Sequence, residues 1–392
     1  MSSAASSASP SPAPTSVPLL DVNRGNAPLR DEIVAALAKV VDSGRFLFGP
    51  DVQQLEKSMA EWCGAKHAVA CASGSDALSL ALMALDIGEG DEVICPSFTF
   101  FATASAVWRL NAKPVFVDID PRTFNIDPAK IEDAITPATK AIIPVHLFGQ
   151  CADMDAIGDI AQRHSLWVIE DACQAIGAKH RGRLAGGIGH IGCLSFYPTK
   201  NLGGMGDGGM LTTNDAPLAE RLRLFAAHGM SPRYYHKVIG INSRLDTLQA
   251  AVLNVKLTRL AQWTEQRQAH AARYDQLLGS RLGSQLGLPP RDAACHHVWN
   301  QYTIRIPGQR RDAVKAQLAQ AGVGSEVYYP VPLHQQDCFR SLGYGPGTLP
   351  HTERAAAEVL SLPVFPEMTA AEQDLVIGRL CEAMGAAQRK AA

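Results

Sequence analysis

Lys200 stands between an apolar run, 191–197, and a stretch that holds Gly203, Gly204, Gly206, Gly208 and Gly209. Glycine lets backbone approach backbone, or a ligand, without a Cβ clash. A lysine so placed points into a site rather than into bulk water. Upstream, 166–169 is an apolar run that ends in Glu170 and Asp171. An acid at a strand end, followed by a lysine after a later strand, fits pyridoxal phosphate chemistry. There the lysine forms a Schiff base with the cofactor aldehyde, and the acid pairs with the pyridinium nitrogen. A carboxylate keeps that nitrogen protonated by opposite-charge stabilisation, so the ring can accept electrons from a carbanion. Gln174 could lie over the same site and hydrogen-bond the ring hydroxyl. Lys200 and Asp171 could instead be a solvated lysine and a surface acid. The apolar runs before both argue for a covered cleft, where partial desolvation activates an amine.

Other segments offer supporting chemistry. Ser73, Gly74 and Ser75 join a strand-like run to a helical one. The free N–H groups and positive dipole end of such a helix suit a phosphate, although any capped βα turn shares the pattern. Phe98, Phe100 and Phe101 follow Pro96 and Ser97; one could stack on a flat cofactor, or all could pack helices. Gly204 to Gly209 spells G-x-G-x-x-G, but a strand-like run follows where a dinucleotide site needs a helix. No Gly-Lys-Ser/Thr triplet follows a loop, which excludes a P-loop. Histidines and cysteines are not spaced as ligand pairs, so no metal is expected.

The elements that must hold these residues alternate in type. Strands are expected over 68–71, 92–95, 114–119, 141–147, 167–169, 193–197 and 209–213, with helices over 75–85, 99–110 and 154–164 between them. Continuous apolar strands suit a mostly parallel sheet covered on both faces. Ligands in such sheets bind beyond the carboxyl ends of the strands, where Asp171 and the residues after Ser73 fall. A helical pattern over 243–278 leads to a smaller domain, with strands at 302–306 and 325–329, a helix at 311–321 and two late helices. The division reads as a Ser/Ala/Pro tail over 1–17, expected to be disordered, a large domain over 18–255 and a small domain over 256–392.

At 392 residues, 46% apolar and 19% charged, the chain can bury a sizeable core. A net charge of −2 with no basic run argues against nucleic acid or an anionic membrane as partner. No apolar stretch approaches the roughly 20 residues that span a bilayer. Nine dispersed cysteines read as reduced thiols in a cytoplasmic protein.

With its motifs assembled, the chain resembles the DegT-type PLP-dependent nucleotide-sugar aminotransferases from about residue 18 to the end. The likeness lies in Gly49-Pro50, in 72–78, 96–103, 145–150 and 169–174, in the Lys200 segment, and in 240–246 and 328–330. It implies an α/β, fold type I aminotransferase: a large domain with a mostly parallel seven-stranded sheet and a smaller α+β C-terminal domain. It also implies a homodimer with shared active sites. Lys200 then matches the Schiff-base lysine, Asp171 the partner of the pyridine nitrogen and Gln174 the contact to the ring hydroxyl. Gly74, Ser75 and Ser195 match phosphate-binding positions, Phe100 the stacking aromatic, and Asn242 a residue that reaches the phosphate from the neighbouring subunit. Arg244 lies beside it, toward substrate or phosphate. Tyr328, Tyr329 and His334 are candidates for sugar contacts. Dehydratases of the family carry histidine at the lysine position, so Lys200 implies an aminotransferase. Glutamate is the expected amino donor. The expected acceptor is a keto-sugar nucleotide, with closest likeness to enzymes that aminate C3 of UDP-linked 3-keto sugar acids for surface polysaccharide. The alternatives are a 4-keto-sugar aminotransferase and a non-catalytic PLP-binding regulatory protein.

Overall fold

The computed structural model describes residues 14–391, with side chains through residue 386. Seven strands form the main sheet: β1 (His67–Cys71), β2 (Glu92–Pro96), β3 (Lys113–Val117), β4 (Thr139–Ile142), β5 (Trp167–Asp171), β6 (Ile191–Ser195) and β7 (Gly209–Thr213). Their order is β1-β7-β6-β5-β4-β2-β3. Only β7 is antiparallel to its neighbours, β1 and β6; the other pairings are parallel. The connection explains the exception. Parallel neighbours need a crossover that returns the chain to the opposite edge, whereas antiparallel ones can be joined along a single edge. The segment from β6 to β7 contains no helix or strand and stays at the carboxyl edge. It carries Lys200 and the glycine run, so the reversal of β7 keeps the lysine beside the ends of β5 and β6.

Alternation along the strands feeds two cores. In β1, Val69 and Cys71 face one side with Ala77, Leu78, Ala81 and Leu222. Ala68 and Ala70 face the other with Leu55, Met59, Ala250 and Leu253. The helices Gly74–Ala84 and Ala216–Ala226 therefore cover one face, and Pro50–Cys63 and Thr247–Leu257 the other. Ser73 caps the first of these through Asp76 N (3.1 Å).

A smaller layer pairs β8 (Tyr302–Arg305) antiparallel with β9 (Val359–Leu362). Tyr274, Leu278, Val314, Leu318, Val376 and Leu380 pack on it from the helices Leu260–Leu282, Arg311–Gln320 and Ala370–Ala391.

Several local expectations change. The helical pattern over 243–278 is two helices broken at Thr258 and Arg259, and the expected division after 255 falls inside the first. The strand expected over 325–329 reduces to one bridge between Glu326 and Ser361. Of the tail, residues 1–13 lie outside the described residues. Its last residue, Val17, is buried against the small layer and bridges Val323, with Val17 N to Gly322 O at 2.9 Å and Gly324 N to Val17 O at 2.8 Å. An apolar side chain with two backbone bonds has both entropic and polar costs of ordering offset.

Candidate active site

The carboxyl ends of β1, β5 and β6 and the start of β7 meet at one edge of the sheet, and most of the expected site residues collect there. The turn after β1 is packed tightly on its neighbours. A Cβ on Gly74 would come within 2.7 Å of Ser195 Cβ and 2.9 Å of Cys173 Sγ. A Cβ on Gly209 would reach the Ser73 carbonyl at 2.3 Å. Only glycine fits either position. The close approach brings the first turn of the helix Gly74–Ala84 against Ser195. The N–H groups of Gly74 and Ser75 make no hydrogen bond with any described residue, as expected for a helix N-terminus left open to an anion.

Asp171, the last residue of β5, is buried. Its Oδ1 accepts from Cys173 N (3.3 Å) and its Oδ2 from Thr103 Oγ1 (2.8 Å). Strand alternation sends the adjacent Glu170 to the other face, where it binds His146 Nε2 (2.9 Å) and the amides of Gly186, Ile188 and Gly189. Of the two carboxylates the sequence places at this strand end, only Asp171 belongs to the cleft. Gln174 is held from both ends of its amide: Oε1 accepts from Phe148 N (2.7 Å), and Nε2 donates to Tyr329 Oη (3.2 Å).

The Lys200 side chain makes no hydrogen bond or ion pair with a described residue. Burial pushes its ammonium below the ordinary lysine value, against Cys173 and Asp171, which favour the charged form. Lys200 is half-buried, and a desolvated amine with a lowered pKa and no partner among the described residues is a nucleophile and a base. A flat aromatic ring with a phosphate tail fits this set: amides and Ser195 for the phosphate, Asp171 for a ring nitrogen, Lys200 for an aldehyde carbon.

Phe100 is 55% exposed, with its ring 6.2 Å from that of Tyr329. Phe98, by contrast, is buried against Phe124 and Tyr329, and Phe101 packs on Phe339. Phe101 is itself 43% exposed, so Phe100 is the most exposed of the three and the exposed one beside Tyr329. Tyr328 and Tyr329 are half-buried, and burial pushes both phenols up, so they stay protonated donors.

Asn242 is exposed and Arg244 half-buried. The Arg244 guanidinium lies 5.8 Å from the Phe48 ring centre, and its Nε is buried with no hydrogen-bond partner among the described residues. The structure does not bring Asn242 into hydrogen-bond contact with the cleft residues.

His334 corrects the expectation of a sugar contact. It is 1% exposed, its Nδ1 shares a hydrogen bond with Ser97 Oγ (2.7 Å), and its Nε2 faces Glu353 Oε1 (3.4 Å). Ser97 also accepts the His334 amide and, through its carbonyl, that of Leu333. Both ring nitrogens are spent on this joint, which leaves neither for a sugar.

Sequence reasoning overlooked Thr103, Ser243 and His146. Ser243 Oγ accepts from Ala72 N (3.1 Å) and fixes the turn that precedes the phosphate cradle. Nothing local in the run 102–107 singles out Thr103, since Ser105 offers a second hydroxyl there.

Comparison with known proteins gives the family. The profile of the DegT/DnrJ/EryC1/StrS aminotransferase family matches residues 28–381. A "Pleiotropic regulatory protein" of Geobacillus stearothermophilus is 53% identical, over 93% of this chain and 98% of its own. UDP-N-acetyl-3-dehydro-alpha-D-glucosamine 3-aminotransferase of Acidithiobacillus ferrooxidans is 49% identical, over 90% and 94%. UDP-2-acetamido-2-deoxy-3-oxo-D-glucuronate aminotransferase of Pseudomonas aeruginosa is 44% identical, over 93% and 99%. Among solved structures, S. venezuelae DesV in complex with a ketimine intermediate superposes with a TM-score of 0.91 at 42% identity, covering 95% of this chain and 99% of that one. NtdA of Bacillus subtilis with bound cofactor PMP gives 0.89 at 38%, covering 95% and 86%.

Proposed function

Because the chain belongs to the DegT/DnrJ/EryC1/StrS aminotransferase family, whose members use pyridoxal phosphate, we propose that it moves an amino group from glutamate to C3 of a UDP-linked 3-keto sugar or sugar acid. One observation carries the choice of acceptor. The relatives of Acidithiobacillus ferrooxidans (49%) and Pseudomonas aeruginosa (44%), each matched over at least 90% of this chain, are both named for a UDP sugar with an oxo group at C3, whereas a Streptomyces venezuelae relative, also at 44%, is named for a dTDP-linked 3-amino sugar.

Gly74, Ser75 and Ser195 would hold the cofactor phosphate, Phe100 would cover the ring, and Gln174 would sit at the ring hydroxyl. Asp171 would hold a proton on the ring nitrogen. When bound, pyridoxal phosphate supplies the carbonyl that takes up the amino group and the ring that accepts electrons released at the substrate carbon. Lys200 then serves as the base at the donor's Cα, because desolvation makes its neutral amine accessible. With the acceptor sugar the same lysine returns a proton to the sugar carbon that becomes C3–N. Tyr328 and Tyr329, kept protonated by burial, can donate to sugar oxygens.

A homodimer is part of this reading. Phe46, Leu47, Phe48, Tyr234, Tyr235 and Ile239 expose large apolar surface, up to 92% for Ile239. Tyr234, Tyr235 and Ile239 adjoin Asn242 and Arg244 in sequence, and the Phe48 ring lies beside the Arg244 guanidinium; Arg244 Nε has no hydrogen-bond partner among the described residues. Exposed apolar patches of this kind mark association surfaces. A cytoplasmic setting is supported by nine free cysteines, and no described helix is long and apolar enough to cross a membrane.

A second reading, a cofactor-binding regulatory protein, is favoured by the name of the 53% relative. The visible absorption of the PLP-loaded protein, before and after glutamate, separates the two. On the aminotransferase reading, glutamate bleaches the band in wild type. A UDP-linked 3-keto sugar then restores it, a 4-keto isomer does not, and Lys200→Ala shows no such cycle. A Lys200-dependent band indifferent to glutamate would favour the regulatory reading.

A further inference from the structure

Asp171 owes its orientation to a hydroxyl chain on a distant segment. Its Oδ2 accepts from Thr103 Oγ1 at 2.8 Å, and Thr103 Oγ1 lies 3.2 Å from Thr99 Oγ1. A hydroxyl has one proton to give. A carboxylate only accepts, so Thr103 spends its proton on Asp171 and Thr99 must donate to Thr103. The order is therefore fixed: Thr99 to Thr103 to Asp171. All three residues are buried, at 2%, 0% and 5% exposure, so no water replaces a missing member. Thr103 is β-branched and lies in the first turn of the helix Ala102–Arg109, which restricts its χ1. The other oxygen, Oδ1, is tied to Cys173 N at 3.3 Å. One donor on each oxygen sets the plane of the carboxylate.

The same turn carries Phe100, whose backbone carbonyl accepts from Thr103 N at 3.2 Å. Residues 99–103 thus present an exposed ring and a carboxylate-orienting hydroxyl from one rigid piece of chain. We infer that Thr103, backed by Thr99, is the positioning residue that aims Asp171 at the cofactor ring nitrogen and registers it with the stacking face of Phe100. This inference rests on the proposed role of Asp171 as the partner of that nitrogen.

The test compares Thr103→Val, Thr103→Ser, Thr99→Val and Asp171→Asn. Two quantities are read: the dissociation constant of pyridoxal phosphate, and the chemical shift of the ring nitrogen in 15N-labelled cofactor bound to each protein. Valine keeps the shape of threonine and removes the hydroxyl. Thr103→Val is expected to weaken cofactor binding at least about tenfold, as for a lost hydrogen bond to a charged group, and to move the ring-nitrogen signal. Thr103→Ser keeps the dissociation constant within about threefold of wild type and leaves the ring-nitrogen signal in place, and Thr99→Val moves both in the same direction as Thr103→Val by less. Thermal unfolding of the cofactor-free proteins shows whether the fold is intact. Should Thr103→Val not fold, Thr99→Val reads the same chain one step back. If Asp171→Asn changes both quantities while Thr103→Val and Thr99→Val change neither, the positioning role is wrong and the reading of Asp171 stands. If Asp171→Asn itself leaves binding and the nitrogen signal as in wild type, the reading of the site falls with it.

Discussion

Glu170→Gln tests how the end of β5 is held. The Glu170 side chain is fully buried, and its carboxylate accepts four hydrogen bonds. Oε1 takes the amides of Ile188 (2.8 Å) and Gly189 (2.6 Å); Oε2 takes the Gly186 amide (2.8 Å) and His146 Nε2 (2.9 Å). His146 Nδ1 accepts from Ala152 N at 3.1 Å, so Nε2 is the nitrogen that donates to Glu170. Glutamine has nearly the same shape but must put an NH2 where one oxygen was. In one orientation the NH2 meets the Ile188 and Gly189 amides. In the other it meets the Gly186 amide and the imidazole N–H. Either way two hydrogen bonds become donor–donor contacts. At about 1–3 kcal/mol for each buried donor left unmade, the cost is about 2–6 kcal/mol. Urea unfolding at neutral pH, followed by both tryptophan fluorescence and circular dichroism, measures it. The unfolding free energy should fall by that amount, and the midpoint by that amount divided by the slope, at unchanged slope and with the two probes coincident. The acid limb gives an independent check. Burial pushes the Glu170 carboxyl up, but the bonds from His146 and the Gly189 and Gly186 amides outweigh it and hold the pKa below the ordinary value. Its contribution is therefore present above the unfolded value of about 4.3 and lost as pH falls through the lower folded value. The gap between wild type and variant should narrow in that window. A loss below about 0.5 kcal/mol at neutral pH would refute the account, because it would mean that the buried donors find other partners at no cost.

Gly74→Ala should weaken pyridoxal phosphate binding at least about tenfold, by titration of the cofactor-free protein, since the new methyl meets Ser195 Cβ at 2.7 Å and Cys173 Sγ at 2.9 Å and must push the phosphate cradle apart. His334→Ala should cost about 1–3 kcal/mol in unfolding free energy, from a lost joint and a cavity, and leave the KM for the sugar nucleotide near wild type; a raised KM at wild-type stability would restore the sugar contact. Burial lowers the Lys200 pKa, so its neutral amine appears at lower pH than for an ordinary lysine near 10.4. The rate at which the cofactor-free protein captures pyridoxal phosphate should rise with pH and level off below that value, and a rise that continues through it would show a solvated lysine.

Much of the fold and of the site could be read in the chain because the signals are local. Apolar runs predict β1, β5, β6 and β7 within a few residues. The 3.6-residue pattern after Ser73 predicts the helix Gly74–Ala84, and the acid at the end of β5 and the lysine before the glycines mark the chemistry. The failures are also local in cause. The segment 325–329, with Val327 and two tyrosines, reads as a strand, but a strand exists only where a neighbour supplies a ladder, and there Ser361 alone pairs with Glu326. The helical pattern over 243–278 is unbroken in period, yet the chain turns at Thr258 and Arg259 to pack Leu253 on the main sheet and Tyr274 on the small one.

The sequence by itself determined which groups are available and which edge of a parallel sheet collects them, because residue type and strand ends are properties of short segments. Tertiary structure alone decided which polar groups meet. Thr103 reaches Asp171 from 68 positions away, and Ser97 meets His334 from 237. Glu170 and Asp171, neighbours in the chain, part company because successive strand residues point to opposite faces. A hydroxyl or an imidazole carries no mark in sequence of the partner it will find. Its role is set by burial, which removes water as the alternative partner and makes every such pairing matter.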